Sequence, residues 1–169
     1  MARFEHLRST PWKPTFDWVT STLAAARRIN VWHEDYPRRV KVTHSVISTF
    51  RARKLTGPDG VAAGVPVPNA VLLKLHRDIF RDQPIRGKWR SVSVIVGQHL
   101  PPGPAQVPGL MEELQKGYLV RTVEDLIAWY TDFQTIHPFQ DGNGRVGGVI
   151  VATYSHMLHP DRGWLAPNQ

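Results

Sequence analysis

Hydrophobic residues recur at steps of three and four along most of the chain, and that periodicity predicts helices. Phe16, Val19, Leu23 and Ala26 place one over 15–29, with Thr15 near its start. A less regular stretch, 40–54, carries Val42, Val46, Ile47 and Phe50. Gly57-Pro58-Asp59-Gly60 and the prolines at 66 and 68 then punctuate a loop. Leu72, Leu75 and Ile79 predict a helix over 69–82, and Gly109 to Lys116 a short one. Thr122-Val123-Glu124-Asp125 is a capping-box pattern ahead of Leu126, Trp129, Tyr130 and Phe133, so a helix runs from there to about Ile136. Val146, Val149, Ile150, Thr153, Tyr154 and Met157 mark the last one. A single segment breaks the period: Ser91 to Val96 alternates β-branched and polar residues and reads as a strand. Its prolyl continuation, Leu100-Pro101-Pro102-Gly103-Pro104, cannot hold a sheet ladder. The expected architecture is mainly α with one small β element.

Composition narrows the class without naming a function. With 41% hydrophobic and 21% charged residues in 169, the chain can bury one domain-sized core. No cysteine is present, which excludes a disulfide scaffold, a thiolate zinc site and a catalytic thiol. No apolar run reaches the roughly 18 residues of a membrane span, and no h-region marks a secretory signal. A cytoplasmic protein is the expectation. The formal charge of +7 alone would make nucleic acid the first partner to test.

Chemistry concentrates between the last two predicted helices, in His137-Pro138-Phe139-Gln140-Asp141-Gly142-Asn143-Gly144-Arg145. Gly142 and Gly144 allow positive φ, so the backbone can turn its N–H groups inward as an anion nest. The nest leads into a helix N-terminus, which favours a phosphate. Arg145 stands in the first turn, where a cation opposes the dipole unless an anion is shared. Asp141 is a hard oxygen ligand for magnesium on polyphosphate, and His137 can accept a hydroxyl proton. Each residue alone also fits an ordinary turn or cap. Their order and spacing point to phosphoryl or nucleotidyl transfer.

The same nine residues resemble the signature of Fic-domain proteins, His-Pro-Phe-x-Asp/Glu-Gly-Asn-Gly-Arg-x-x-Arg. Leu72 to Phe80 resembles the family's Leu-x-x-Leu-His helix, Gly87 to Val96 its flap, and Val107 to Met111 the helix start that follows. The resemblance spans about residues 65 to 160. It implies a helical Fic-type domain with a small β-hairpin flap, transferring a nucleoside monophosphate, usually AMP from ATP, to a Ser, Thr or Tyr hydroxyl of a target protein. On that reading His137 is the base and Asp141 holds Mg2+. Gly142, Asn143 and Gly144 form the anion hole, Arg145 contacts nucleotide phosphates, and Pro138 and Phe139 shape the loop. Trp89, Arg90, Ser91, Val92, Ser93 and Val94 form the flap that docks the target. The related Doc kinases carry Lys where this chain has Gly144, so Gly144 favours nucleotidyl over phosphoryl transfer.

Two positions depart from the family. Gly148 stands where the second arginine, which holds the γ-phosphate, is expected. Either the backbone packs closely there, or the motif has decayed, or the donor is a different one. The inhibitory Ser/Thr-x-x-x-Glu-Gly/Asn helix has only a degenerate counterpart in 43–49, His44 to Thr49, without its glutamate. The alternative is therefore a pseudoenzyme or toxin-like module that binds a nucleotide or partner without turnover, with nucleic-acid binding ranked third.

The chain divides, on this reading, into an N-terminal helical extension, 1–60, and a catalytic core, 61–169. With 25 residues after Gly144, the closing helix of the fold is expected short or missing, exposing an apolar face for an antitoxin-like or other partner. Delivery into another cell as an effector is compatible with this reading. His76 is expected packed or capping. His156 and His159 read as surface histidines, and most of the tryptophans as core or helix anchors.

Overall fold

The computed structural model describes residues 2–29, 41, 43 and 66–168. Among them, seven helices and strands and a second 3-10 turn (Pro104–Gln106) follow a short 3-10 turn at Glu5–Leu7: β1 (Thr15–Val19), α1 (Thr22–Ile29), α2 (Asn69–Ile79), α3 (Val107–Gly117), α4 (Val123–Ile136), α5 (Asn143–Leu158) and β2 (Trp164–Asn168). The mainly α expectation holds. The capping box forms as predicted: Asp125 N–H donates to Thr122 Oγ1, and Asp125 Oδ2 accepts from Thr122 N–H.

Two predicted segments fold differently. The helix expected over 15–29 begins only at Thr22, because 15–19 pairs antiparallel with 164–168, Thr15 opposite Asn168 and Val19 opposite Trp164. Phe16 and Trp18 satisfy an alternating pattern as well as a helical one, and a distant strand decides between them. Leu23, expected in the apolar face, is 41% exposed; Ala25, Ala26 and Ile29 are the buried side of α1. The strand expected at 91–96 does not form. Only Val96 and His99 exchange backbone hydrogen bonds, closing a tight irregular flap.

The core is built on α4 and α5, whose Trp129, Tyr130, Phe133, Val146, Val149 and Ile150 are buried. α1, α2, α3 and β2 pack around them. The bare apolar face expected after Gly144 is absent: α5 is buried from Val146 to Ser155, with α1 and β2 laid against it. The N-terminal residues join the same body. Phe4 enters the core, and the buried Asp132 carboxylate accepts the N–H groups of Arg3 and Phe4 (2.5 and 3.0 Å) and the Tyr118 hydroxyl (2.5 Å). The stretch 40–54, with the degenerate segment 43–49, lies outside the described residues except Lys41 and Thr43, which are helical. No helix among the described residues is long and apolar enough to cross a membrane.

Candidate active site

The nine-residue motif forms the turn between α4 and α5, and short-range bonds shape it. His137 ends α4 in the left-handed region (φ 51°), its N–H still donating to the Phe133 carbonyl (2.9 Å). Such a conformation is strained for a non-glycine residue. Asn143 reaches back four residues. Its Oδ1 accepts from Phe139 N–H (2.9 Å) and its Nδ2 donates to the Phe139 carbonyl (2.8 Å). Asp141 Oδ1 accepts from Gly142 N–H (2.6 Å) and from Arg145 Nη2 (3.0 Å).

Of the two glycines expected at positive φ, only Gly142 has it (84°). Gly144 already lies in the first turn of α5, so helical geometry governs it. A Cβ on Gly142 would stand 2.3 Å from the Phe80 ring, so glycine is required there twice over. The N–H groups of Asn143, Gly144 and Arg145 lie at the start of a 16-residue helix, where no intrahelical acceptor exists. Those three donors could hold an anion.

Beneath the loop sits an aromatic stack that sequence reasoning treated only as packing. The His76 ring lies parallel to Phe139 (4.0 Å between centroids) and over Phe80 (4.5 Å). Gly87 N–H donates to His76 Nδ1 (2.9 Å), so Nε2 carries the proton and donates to the Asp141 carbonyl (3.0 Å). Burial pushes the His76 pKa down to about 4, which keeps this neutral tautomer. One imidazole thus links α2, the flap base and the motif loop. Arg145, 2% exposed, lies over Phe80 (4.4 Å) and against Asp141, below the loop.

The flap is fastened at its base. Trp89 packs on Phe139 (5.0 Å), and the Arg90 N–H donates to the Pro138 carbonyl (2.8 Å). The Arg90 guanidinium, expected in the target-docking flap, is instead buried. It donates to the carbonyls of His137 (2.8 Å), Ile136 (3.3 Å), Val92 (3.0 Å) and Pro102 (2.5 Å). These include carbonyls at the C-terminus of α4 that the helix leaves without donors, and a cation there suits the helix dipole. Ser91, Val92 and Ser93 are exposed and Val94 half-buried, while Ile95 is 75% exposed, the most open of the large hydrophobic residues described. At the far end His99 Nε2 meets the Thr135 carbonyl (2.8 Å).

His137 and Gly144 share one cleft of about 700 Å³ with the flap tip, Val96 to His99. Burial holds the His137 pKa down to about 4, with contributions from Arg90 and His99, while the Gln134 carbonyl and Asp141 oppose the shift. Its imidazole is therefore neutral at pH 7 and able to accept a proton. The lining also includes residues that sequence reasoning did not place in the site, Arg8, Trp12, Tyr130 and Asn168 among them. The aromatic residue set between Pro11 and Pro14 was the one available signal.

Gly148 faces away from this chemistry into a helix crossing. A Cβ there would lie 2.9 Å from Ile29 Cγ1 of α1. Close packing is thus the physical role of this glycine, and hydrocarbon fills the space outside it. His156 stacks on Trp164 (4.0 Å) and His159 meets Trp18 edge-on (6.1 Å). Both brace the β2 corner. No grouping of three or more metal-ligating side chains exists among the described residues.

Residues 66–155 match the profile of the Fic/DOC family. Protein adenylyltransferase Fic of Culex quinquefasciatus is 32% identical over 90 residues, 48% of this chain and 18% of that protein. A probable protein adenylyltransferase of Aquifex aeolicus is 33% identical over 91 residues, 50% and 28% of the two chains. The chain therefore spans less than a third of the length of these curated relatives. Among solved structures, a Fic domain containing signaling protein from Bacteroides thetaiotaomicron superposes with a TM-score of 0.57 at 25% identity, over 75% of this chain and 50% of that one. A Fic family protein from Desulfovibrio desulfuricans, 19% identical, shares the fold with a TM-score of 0.59 over 82% and 48%.

Proposed function

Since the chain belongs to the Fic/DOC family, we propose that it is a nucleotidyltransferase that moves a nucleoside monophosphate, AMP from ATP first among the candidates, onto a protein hydroxyl. The observation that carries this reading is the shared cleft: a neutral His137 and Gly144 in the first turn of α5 open onto the same space. His137 takes the proton from a Ser, Thr or Tyr hydroxyl as its oxygen bonds the donor's α-phosphorus. The bond from that phosphorus to the β-phosphate bridging oxygen breaks, and pyrophosphate leaves from a triphosphate donor. The N–H groups of Asn143, Gly144 and Arg145 take up charge on the phosphate oxygens. The target segment lies along the exposed flap, Ser91 to Val94.

Asp141 fits a magnesium ligand. Both of its side-chain hydrogen bonds fall on Oδ1, and its side chain is 52% exposed, so Oδ2 is open. Magnesium on a polyphosphate commonly uses one or two protein carboxylates and neutralises phosphate charge when bound.

The Ile29–Gly148 contact favours a second reading, nucleotide binding without turnover, because no cation stands at that position. Incubation of the wild type and His137→Ala with lysate, magnesium and each α-labelled nucleoside triphosphate separates the two. Label that depends on His137 supports the enzyme and names the donor. Nucleotide binding with no label from any triphosphate or diphosphate-linked donor supports the second reading. Gly148→Arg is best made together with Ile29→Ala, which clears the space it needs.

A further inference from the structure

Part of the cleft lining, residues 8–14 above all, comes from outside the span 66–155 that matches the family, and it has the makings of a base-binding surface. We propose that residues 8–14 form the nucleobase wall of the donor site, with the Trp12 indole stacking on the base. This rests on the nucleotide reading of the cleft given above.

Trp12 is 42% exposed, an unusual state for a large aromatic ring, and it lines the same cleft as His137 and Gly144. Its ring stands 6.4 Å from that of Tyr130, which lines the cleft beside it. Phosphates at the first turn of α5 direct the rest of a nucleotide across the cleft, and about 700 Å³ accommodates one. A π-face suits every base, so such a wall gives affinity without dictating which base is taken.

The wall is built rather than draped. Arg8 Nε donates to Thr135 Oγ1 (3.2 Å) on α4. Ser9 N–H donates to His99 Nδ1 (3.3 Å), and Ser9 Oγ accepts from Leu100 N–H (3.1 Å), tying the segment to the flap. Asp132 pins it upstream through Arg3 and Phe4, and β1 pins it downstream from Thr15. Pro11 and Pro14 fix φ on either side of Trp12 and its neighbour Lys13. A ring carried by so constrained a segment is already oriented before a ligand arrives.

Equilibrium dialysis of the full chain with magnesium and ATP, GTP, CTP or UTP, and with inorganic tripolyphosphate as a probe without a base, tests the proposal. For the tightest nucleotide, Trp12→Ala is expected to weaken binding by roughly tenfold or more, as loss of a base–aromatic stack does. Trp12→Phe should stay within about threefold of wild type, and tripolyphosphate should bind both variants as it binds wild type. Nucleotide binding unchanged in Trp12→Ala overturns the wall while leaving the nucleotide reading intact. Equal weakening of nucleotide and tripolyphosphate also overturns it, since the effect then lies in the phosphate site or the fold. A wild type that binds none of the four nucleotides overturns both readings.

Discussion

Across the cleft, the loop 137–145 and the flap 87–100 are held in opposite ways. In the loop, Asn143 answers Phe139, Arg145 answers Asp141, and Phe80 closes the space over Gly142, all within or against buried structure. The flap is fastened by Arg90 and Trp89 at one end and by His99 at the other, while Ile95 between them stands in solvent. The loop is held by its own short-range bonds. The flap leaves Ser91, Val92, Ser93 and Ile95 exposed between its fastened ends. The two segments therefore differ because the loop's side chains bond back to the loop, whereas the flap is tied near its ends.

The sharpest way to break the contrast is Gly142→Ala. It forces an L-residue to φ 84° and drives a methyl group into Phe80, so a loss of roughly 3 kcal/mol is expected in denaturant unfolding. A variant as stable as wild type would mean that the loop is not the rigid half.

Arg90→Ala attacks the point where the two regions join. It leaves the carbonyls of Ile136 and His137 without their donor, and a cost of about 2–3 kcal/mol is expected. Hydrogen-exchange protection should fall in both 91–100 and 137–139. Loss confined to the flap would show that the regions are held independently.

Acid should loosen both regions together. His76 and His137 have folded pKa values lowered to about 4 against an ordinary value of 6.5. The unfolded chain therefore binds more protons between those values. Stability is full above about pH 6.5 and falls as pH drops towards 4, by about 2 kcal/mol between pH 7 and 5 for the fully buried His76. Denaturation midpoints at pH 7 and pH 5 check the sign, and greater stability at pH 5 would contradict it. Proton acceptance by His137 should persist down to about pH 4, so activity lost only below that value is the kinetic counterpart.

The smallest effect is expected at Ile95→Ser. At 75% exposure its change should leave stability within about 0.5 kcal/mol, measured by thermal unfolding, while affinity for a flap-docked target falls. A large loss of stability would place Ile95 in an internal contact and erase the difference between the two segments.

Much of the site was legible because its bonds are local. The Thr122–Asp125 cap, the Asn143–Phe139 clamp and the Asp141–Arg145 pair join residues three or four apart, the spacing that motif and helix patterns encode. Arg90 was misplaced as a docking residue, since nothing in its neighbours shows that carbonyls 46 and 47 residues away need a donor. Trp12 was assigned to packing because an exposed and a buried tryptophan look alike in a string of letters.

By itself, then, the sequence determined the helices, the cap and the motif loop, whose periods and bonds close within a turn or two of chain. Tertiary structure alone decided the rest. Residues 15–19 are a strand because 164–168 lies beside them, whereas 91–96 is not, having no such partner among the described residues. Gly148 is a packing glycine because Ile29 stands against it, and the cleft has its N-terminal lining because Asp132 and His99 hold residues 3–9 in place. The physical reason is common to all of these. A backbone pair or a side-chain contact forms only where the fold brings two distant stretches together, and each stretch alone is compatible with more than one outcome.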